Sequence, residues 1–457
     1  MKKHSSNINF IVLYCLFFGW GFVTCLNDLL TPILIGLFSI SNFQANLVVF
    51  AFFTAYFIGS LVYVFAAKFG IKFFENLGFK GLILLGLGLS ALGCLIFIPA
   101  ATFKSYGIFL TGLFTIGFGF TFLQIAANPL VLITGNPETG ASRLNLAGGF
   151  NSLATAVAPL IGVLVFYELL QVKENPANLK YPYIFLTLFF VLLAFMIWKF
   201  LKIKEDDITV HDSSGKLFAL NHLNLIFGML AIFFYVGSEV TIGTNLVSFL
   251  SDPLTVNLQE SVAGKLLAFY WGGAMIGRFL GSVALSDSKA LKKLILMVLI
   301  SIALTAFLVY SIGNVELKLV YYVAFQALAI ILLLACKSSA RMNLVLFSLV
   351  NIANLIVAMM MANTMFAAWA ILSIGIFNSV MWPNIFDLGI ANLGKYKEQG
   401  SSLLVMMILG GALLPLVQGY IADIGNIVDS YWVPVFGYAY ILCYGLFYSQ
   451  RKLNWIK

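Results

Sequence analysis

A series of apolar runs, each about 20 residues long, constrains this chain more than any other feature of its sequence. A run of that length crosses the hydrocarbon core of a bilayer as an α-helix. Residues 82–99 and 183–201 are continuously apolar, without the alternation expected of strands in a membrane β-barrel. Charged residues make up 10% of the 457, against about 25% in soluble domains. The sequence therefore predicts an all-α, multi-pass membrane protein.

Fourteen spans are predicted from these runs, with short polar turns between them. The first follows Lys2 and Lys3 and has no small-residue cleavage site, so we expect it to remain as a span in the mature chain. The predicted spans are residues 9–35, 45–67, 80–100, 106–133, 144–170, 182–202, 222–250, 263–286, 290–312, 318–336, 342–362, 364–391, 401–423 and 431–450.

The basic residues predict the orientation in the membrane. If both termini are cytoplasmic, twenty of the 26 Lys and Arg residues lie in cytoplasmic loops or tails, and Arg278 lies within a span. That excess favours cytoplasmic termini. The net charge of +8 is scattered through loops and forms no stripe, so we expect a lipid bilayer and no nucleic acid around the chain, which we expect to be a monomer. The five basic residues on the opposite side are Lys104, Lys173, Lys180, Lys265 and Lys318.

The most polar connection, residues 203–219, divides the spans into two groups. We predict an N-terminal six-helix bundle at residues 1–202, a cytoplasmic linker at 203–219 and a C-terminal bundle at 220–457. Two six-helix halves joined by a cytoplasmic loop are typical of the major facilitator fold. An extra hairpin within about residues 290–362 accounts for the two additional spans. A hairpin leaves later loops on their original side, so the charge bias fits twelve helices as well as fourteen.

Four charged residues lie within or near the ends of the predicted spans: Asp28, Glu239, Arg278 and Asp387. A charge at a helix centre costs roughly 2.5 to 3.5 kcal/mol on insertion scales, so each must face protein or water. We expect Asp28 to be functional. Arg278 and Asp387 lie toward cytoplasmic ends, which favours a gating or structural role. Glu239 has three open interpretations: it binds substrate, binds a cation, or pairs with a cation from another helix.

Uncharged polar residues recur on single faces of several spans. In the first span they are spaced as one helical face with Trp20, and in the fourth span Pro129 frees a backbone carbonyl that can open the helix locally. Amides bind hydroxyl edges and tryptophan rings cover C–H faces, so the inventory suits a sugar; the alternative is that the amides join helices. The predicted substrate-binding residues are Trp20, Thr24, Gln124, Asn128, Asn151, Glu239, Asn245, Asn378 and Trp382, and the predicted cation-coupling residues are Asp28, Asn27 and Gln124.

Six sequence blocks, spread from the first span to the thirteenth, resemble one transporter family. They are "WGFVTCLNDLLTP", "LQIAANPLVLITGNPETGASRLNLAGGFNSL", "YVGSEVTIG", "YWGGAMIGRFLG", "GIFNSVMWPNIFDLGIANLG" and "GSSLLVMMILGGALLPLVQGYIAD". They are similar to the fucose–galactose–glucose symporters of the major facilitator superfamily, especially the glucose/galactose branch. The resemblance implies hexose uptake through a bacterial inner membrane, coupled to a proton or sodium ion. It also implies that Asp28 is the coupling carboxylate and that Asn151 lies in the sugar site.

The sequence departs from the family pattern in three places. Gln124 stands where fucose transporters carry a second acid, as is usual in the glucose/galactose branch, and Gly148 replaces a glutamine that contacts sugar in many members. The family's "FPTIF" segment contains Trp382 and Asn384 around its proline. Some glucose/galactose members have a similar extra hairpin, which favours fourteen spans. The resemblance leaves the hexose and the cation open.

In the expected mechanism, Asp28 holds a proton while it is sealed from water and releases it on the less acidic side. With sodium, Asn27 and Gln124 would supply additional oxygen ligands. No cofactor is expected beyond the co-transported ion. A fourteen-helix drug or metabolite exporter is the alternative function. A membrane-embedded enzyme is not expected, because the three histidines lie in or beside loops and offer no catalytic arrangement.

Overall fold

The computed structural model of this chain describes residues 8–24, 42–69, 71, 73–134, 139–163, 165, 169–170, 178, 180–202, 218–286, 288–312, 319–336 and 339–448. Asn27 and Asp28 lie outside the described residues, as does nearly all of the predicted linker. Within the described residues, helices occur at every one of the fourteen predicted spans. Nine of these helices are long and apolar enough to cross a membrane.

In the part of the chain that the structure describes, each of the first six passes contains one long helix, and the third is kinked at Gly78, where φ is +57°. The fourth spans the predicted residues 106–133. These helices are α1 (Ile8–Thr24), α2 (Asn42–Lys68), α3 (Phe73–Phe103), α4 (Tyr106–Ile133), α5 (Gly140–Val163) and α6 (Lys180–Phe200).

The later passes include broken helices. The predicted span 364–391 is interrupted at Ser379 and Val380, and Pro383 lies in the first turn of the helix that follows. A proline removes the N–H that would bond to the carbonyl four residues earlier, so the helical hydrogen bonding is interrupted one turn before Pro383. The later helices are α7 (Leu223–Ser251), α8 (Glu260–Ala284), α9 (Ala290–Ile312), α10 (Leu319–Ala335), α11 (Ala340–Met360), α12 (Met365–Asn378), α13 (Met381–Ile390), α14 (Lys397–Met406), α15 (Gly410–Ile424), α16 (Ile427–Ser430) and α17 (Trp432–Cys443).

The chain forms two compact units. Unit 1 comprises Met1–Gly135, Leu153–Asn221 and Leu393–Met406, and unit 2 comprises Asn136–Ser152, His222–Asn392 and Met407–Lys457. The predicted bundles at 1–202 and 220–457 stay a prediction.

Unit 1 is built around α3, which packs against α4 and α6, while α2 and α14 also pack against α4. Small residues set the close approach of α3 to α4. A Cβ on Gly86 would lie 2.6 Å from the Gly119 carbonyl oxygen, and one on Gly119 would lie 2.5 Å from the Gly86 carbonyl oxygen. Any larger residue at either position would push the two helices apart, as expected for small-residue packing in membranes.

Unit 2 is built around α7, which contacts α8, α13, α15 and α17. Its helix α11 packs against α12 and α17, just as α3 packs against α4 and α6 in unit 1. This correspondence leaves α9 and α10 as the extra pair, inside the predicted interval 290–362. They pack on α8 and α12, and only 22% of the α9 membrane window is buried. The hairpin therefore adds to the periphery of unit 2.

Candidate functional site

A buried pair of opposite charges lies in unit 2. Glu239 of α7 and Arg278 of α8 approach to 4.0 Å between Oε1 and Nη2, and their side chains are 12% and 17% exposed. The guanidinium compensates a carboxylate that would otherwise be costly at this depth. The separation is longer than a hydrogen bond, so the two facing atoms attract each other without being saturated.

Arg278 also completes the hydrogen bonding at the break between α12 and α13. Pro383 has no N–H, so the carbonyl four residues earlier, that of Ser379, loses its helical donor. The Nε of Arg278 donates to this Ser379 oxygen at 3.3 Å, and Nη1 donates to the Ser152 hydroxyl of α5. Arg278 is therefore both salt-bridged and structural; the gating role stays a prediction.

Asn378 is the hub of a hydrogen-bonded network behind the ion pair. Its Nδ2 donates to the Tyr270 hydroxyl at 3.1 Å, and that hydroxyl donates to the Glu239 backbone oxygen at 2.8 Å. The Oδ1 of Asn378 accepts from Tyr438 at 2.7 Å and from Asn351 at 2.9 Å. Because Asn378 is fully buried and its amide serves three neighbours, it positions other groups. Its predicted substrate contact stays a prediction.

Asn245 belongs to a separate polar chain in unit 2. Its Nδ2 donates to the Thr241 backbone oxygen at 3.0 Å and to Gln418 Oε1 at 3.1 Å. Gln418 in turn donates to the Ser430 hydroxyl at 3.1 Å. The amide nitrogen of Asn245 therefore joins α7 to α15, which leaves its oxygen as the group available to a solute.

The remaining predicted residues of unit 2 lie on α13 and α5. Trp382 is half-buried and stacks on Phe386 with ring centroids 6.1 Å apart, so part of its ring stays accessible. Asp387 is half-buried on the same helix, and Asn151 is half-buried on α5.

Unit 1 contains an uncharged cluster at the positions predicted from the first and fourth spans. The Tyr56 hydroxyl of α2 is hydrogen-bonded to the side chains of Trp20 and Gln124. The Trp20 ring also meets the edge of Phe120 at a centroid distance of 6.4 Å. Thr24 donates to the Trp20 backbone oxygen at 3.0 Å, which satisfies its hydroxyl within α1. The structure thus brings Trp20 and Gln124 together through a tyrosine.

The fourth span is continuous at Pro129, a position where the sequence allows the helix to open. Helix α4 continues to Ile133, and the carbonyl of Ile125 that Pro129 leaves without a donor accepts the Ser401 hydroxyl at 2.9 Å. One turn away, Asn128 is 1% exposed and its Nδ2 has no hydrogen-bond partner among the described residues. Among the described residues of this segment, the hydrogen-bond donor without a partner is therefore the Asn128 amide nitrogen.

Four residues that shape these clusters were not predicted as site residues: Tyr56, Tyr270, Tyr438 and Asn351. The signal that could have found the tyrosines is general, because a buried tyrosine hydroxyl within a span needs a hydrogen-bond partner. Asn351 lies in the same kind of apolar run as the predicted amides. Sequence spacing could not join these residues, since their partners are on other helices.

Known proteins show which family this chain resembles. No family model matches the chain. A glucose/galactose transporter of Brucella abortus biovar 1 (strain 9-941) is 38% identical, over 96% of this chain and 93% of that protein. An L-fucose-proton symporter of Escherichia coli (strain K12) is 29% identical, over 99% of this chain and 96% of that protein. The crystal structure of FucP, a major facilitator superfamily transporter in the outward conformation, matches with a TM-score of 0.74 and 28% identity, over 98% of this chain and 100% of that one.

These comparisons confirm the predicted fold, a multi-pass major facilitator membrane protein, and the resemblance on which the expectations rest. The glucose/galactose transporter matches almost from end to end, so the likeness is not limited to a shared motif. The chain belongs to the fucose–galactose–glucose symporter family of the major facilitator superfamily, in its glucose/galactose transporter branch.

Proposed function

We propose that this chain carries a neutral hexose across a bacterial inner membrane, coupled to a cation, by opening alternately to the two sides. The observation that carries the proposal is the end-to-end likeness to a glucose/galactose transporter at 38% identity. The polar groups support it, because unsaturated amides and accessible tryptophan surface are what the hydroxyls and C–H faces of a sugar require.

Each unit, taken by itself, contains groups that suit a sugar in this proposal. Unit 1 offers the Trp20 ring and the amides of Gln124 and Asn128, and the Asn128 nitrogen has no hydrogen-bond partner among the residues that the structure describes. Unit 2 offers the Glu239–Arg278 pair. The remaining substrate contacts of the proposal are Thr24, Asn151, Asn245, Asn378 and Trp382.

The coupling ion is assigned to Asp28, helped by Asn27 and Gln124. The name of the fucose-proton symporter supports proton coupling in that relative. Gln124 cannot take up a proton, so Asp28 is the single titratable group of this proposed coupling site. With sodium, the neutral oxygens of Asn27 and Gln124 would complete the shell of an ionised Asp28. Both termini are proposed to be cytoplasmic, and the chain is proposed to act as a monomer.

The test is uptake of labelled glucose, galactose and fucose into proteoliposomes under separately imposed proton and sodium gradients. We expect at least one hexose to accumulate above equilibrium under one of the two gradients. Accumulation of none of them under either gradient, with correctly inserted protein, would contradict the proposal. Export of hydrophobic cations under the same gradients would instead identify an exporter.

The matched variant is Asp28→Asn, which removes the proposed ionisable group and keeps the size of the side chain. We expect it to abolish accumulation while it retains exchange of labelled for unlabelled hexose, because exchange needs no net movement of the ion. Full accumulation by this variant would remove Asp28 from the coupling role.

A further inference from the structure

The Glu239–Arg278 pair has unused hydrogen-bonding capacity at its centre. Two of the three guanidinium nitrogens have partners: Nε donates to Ser379, and Nη1 donates to Ser152. The third, Nη2, faces Glu239 Oε1 at 4.0 Å, beyond hydrogen-bond reach. That Oε1 atom is buried and has no hydrogen-bond partner within reach among the described residues, although the Tyr235 hydroxyl lies beside the same carboxylate.

The arrangement fixes where the free donor points. Ser379 and Ser152 hold two nitrogens of a planar group, so the direction of the third nitrogen is set before any ligand arrives. On the other side, the Tyr270 hydroxyl holds the backbone oxygen of Glu239 at 2.8 Å. The donor is therefore held in place before the ligand binds, and only the acceptor side chain has to adjust, which reduces the ordering cost of binding.

A hydroxyl group fits between them. It can accept from Nη2 and donate to Oε1 at the same time, and two atoms 4.0 Å apart can both lie at hydrogen-bond distance from one oxygen. A carboxylate or an ammonium group would meet one attractive and one repulsive partner here. The side chains are 17% and 12% exposed, while Oε1 itself is buried, so the carboxylate must turn toward the solute for the hydroxyl to reach it.

We propose that one hydroxyl of the transported hexose bridges Arg278 Nη2 and Glu239 Oε1, and that this bridge determines which sugar stereoisomers are accepted. This inference rests on the proposed function and deepens it. Glu239 and Arg278 are then specificity-determining residues, distinct from the coupling carboxylate. The ligand feature that they recognise is a single hydroxyl that must both donate and accept.

The test measures binding of the best-transported hexose and its monodeoxy and monofluoro analogues to the full chain in lipid nanodiscs. A deoxy position has neither donor nor acceptor, and fluorine cannot donate. At the bridging position we expect both analogues to bind roughly 10- to 100-fold more weakly, the range for a lost hydrogen bond to a charged group. If no position shows this double loss in the wild-type protein, the inference is overturned without any variant.

The variant Glu239→Gln tests whether Glu239 is the group that accepts from the bridging hydroxyl. It should bind the parent hexose roughly 10- to 100-fold more weakly, and replacing the bridging hydroxyl should then cost less than about threefold. Asp423→Asn, which removes an exposed acid on α15, is the control and should keep the wild-type pattern. An unchanged analogue pattern in Glu239→Gln overturns the inference and leaves hexose transport intact. If the wild-type protein binds no hexose, the proposed function fails as well.

Discussion

Pro129 and Pro383 lie in two different membrane passes, and the structure completes the hydrogen bonding around these two prolines in different ways. In unit 1, Pro129 leaves the Ile125 carbonyl free, a neutral serine hydroxyl from α14 satisfies it, and α4 continues unbroken. In unit 2, Pro383 leaves the Ser379 carbonyl free, and the Arg278 guanidinium satisfies it across a break in the helix.

The difference follows from the number of groups that each donor residue contacts. A serine hydroxyl satisfies one carbonyl and brings no charge into the membrane. Arg278 donates to the carbonyl and to a serine hydroxyl and faces the Glu239 carboxylate at 4.0 Å, so the break in unit 2 is tied to the ion pair. The break between α12 and α13 therefore depends on a charged network, whereas the free carbonyl in α4 is satisfied by one neutral hydroxyl.

The largest effect on stability is expected from Arg278→Ala. The change leaves Glu239 buried without compensation and the Ser379 carbonyl without a donor, which should cost about 3–5 kcal/mol of unfolding free energy. Thermal unfolding in detergent micelles would measure it. Adding Glu239→Gln should restore part of the loss, because the uncompensated charge is removed. No rescue by the second change would contradict the charge-based explanation.

The second-largest loss of stability is expected from removing Asn378, the hub of the hydrogen-bonded network. Asn378→Ala leaves Tyr438 and Asn351 without their acceptor and removes one of the two hydrogen bonds of Tyr270, and we expect a loss of about 2–4 kcal/mol. The matched variant Tyr438→Phe removes one hydroxyl and leaves Asn378 with its other partners, so its expected cost is about 1 kcal/mol. Thermal unfolding of the two variants compares them. Equal destabilisation would show that Asn378 is not a hub.

The smallest effect on stability is expected in unit 1, where the Ser401 hydroxyl satisfies the Ile125 carbonyl. Ser401→Ala should cost about 1–2 kcal/mol, because the Ile125 carbonyl loses its donor. In a Pro129→Ala background the restored helical N–H can bond to that carbonyl, so Ser401→Ala should then cost less than about 0.5 kcal/mol. The four proteins form a double-mutant cycle. If the costs of the two substitutions add, the Ser401 hydroxyl does not compensate for the missing N–H of Pro129.

The helices and several site residues follow from the sequence, while their mutual contacts do not. Apolar run length predicts helices at all fourteen positions, because a bilayer of fixed thickness demands that length. Helical spacing also places Glu239, Asn378 and Gln124 at buried sites. However, the partners of Asn378 lie 27, 60 and 108 residues away along the chain, and the Ser401 donor lies 276 residues from Ile125. Such pairings depend on helix packing, which local periodicity does not encode.

The most direct test of cation-coupled hexose transport is hexose-evoked ion movement without an imposed gradient. Proteoliposomes would receive the transported hexose while a pH-sensitive dye or radioactive sodium reports entry of each cation. The account predicts that one of the two ions enters with the sugar at a fixed ratio, and that Asp28→Asn abolishes this entry. Sugar entry with no movement of either ion would contradict the account.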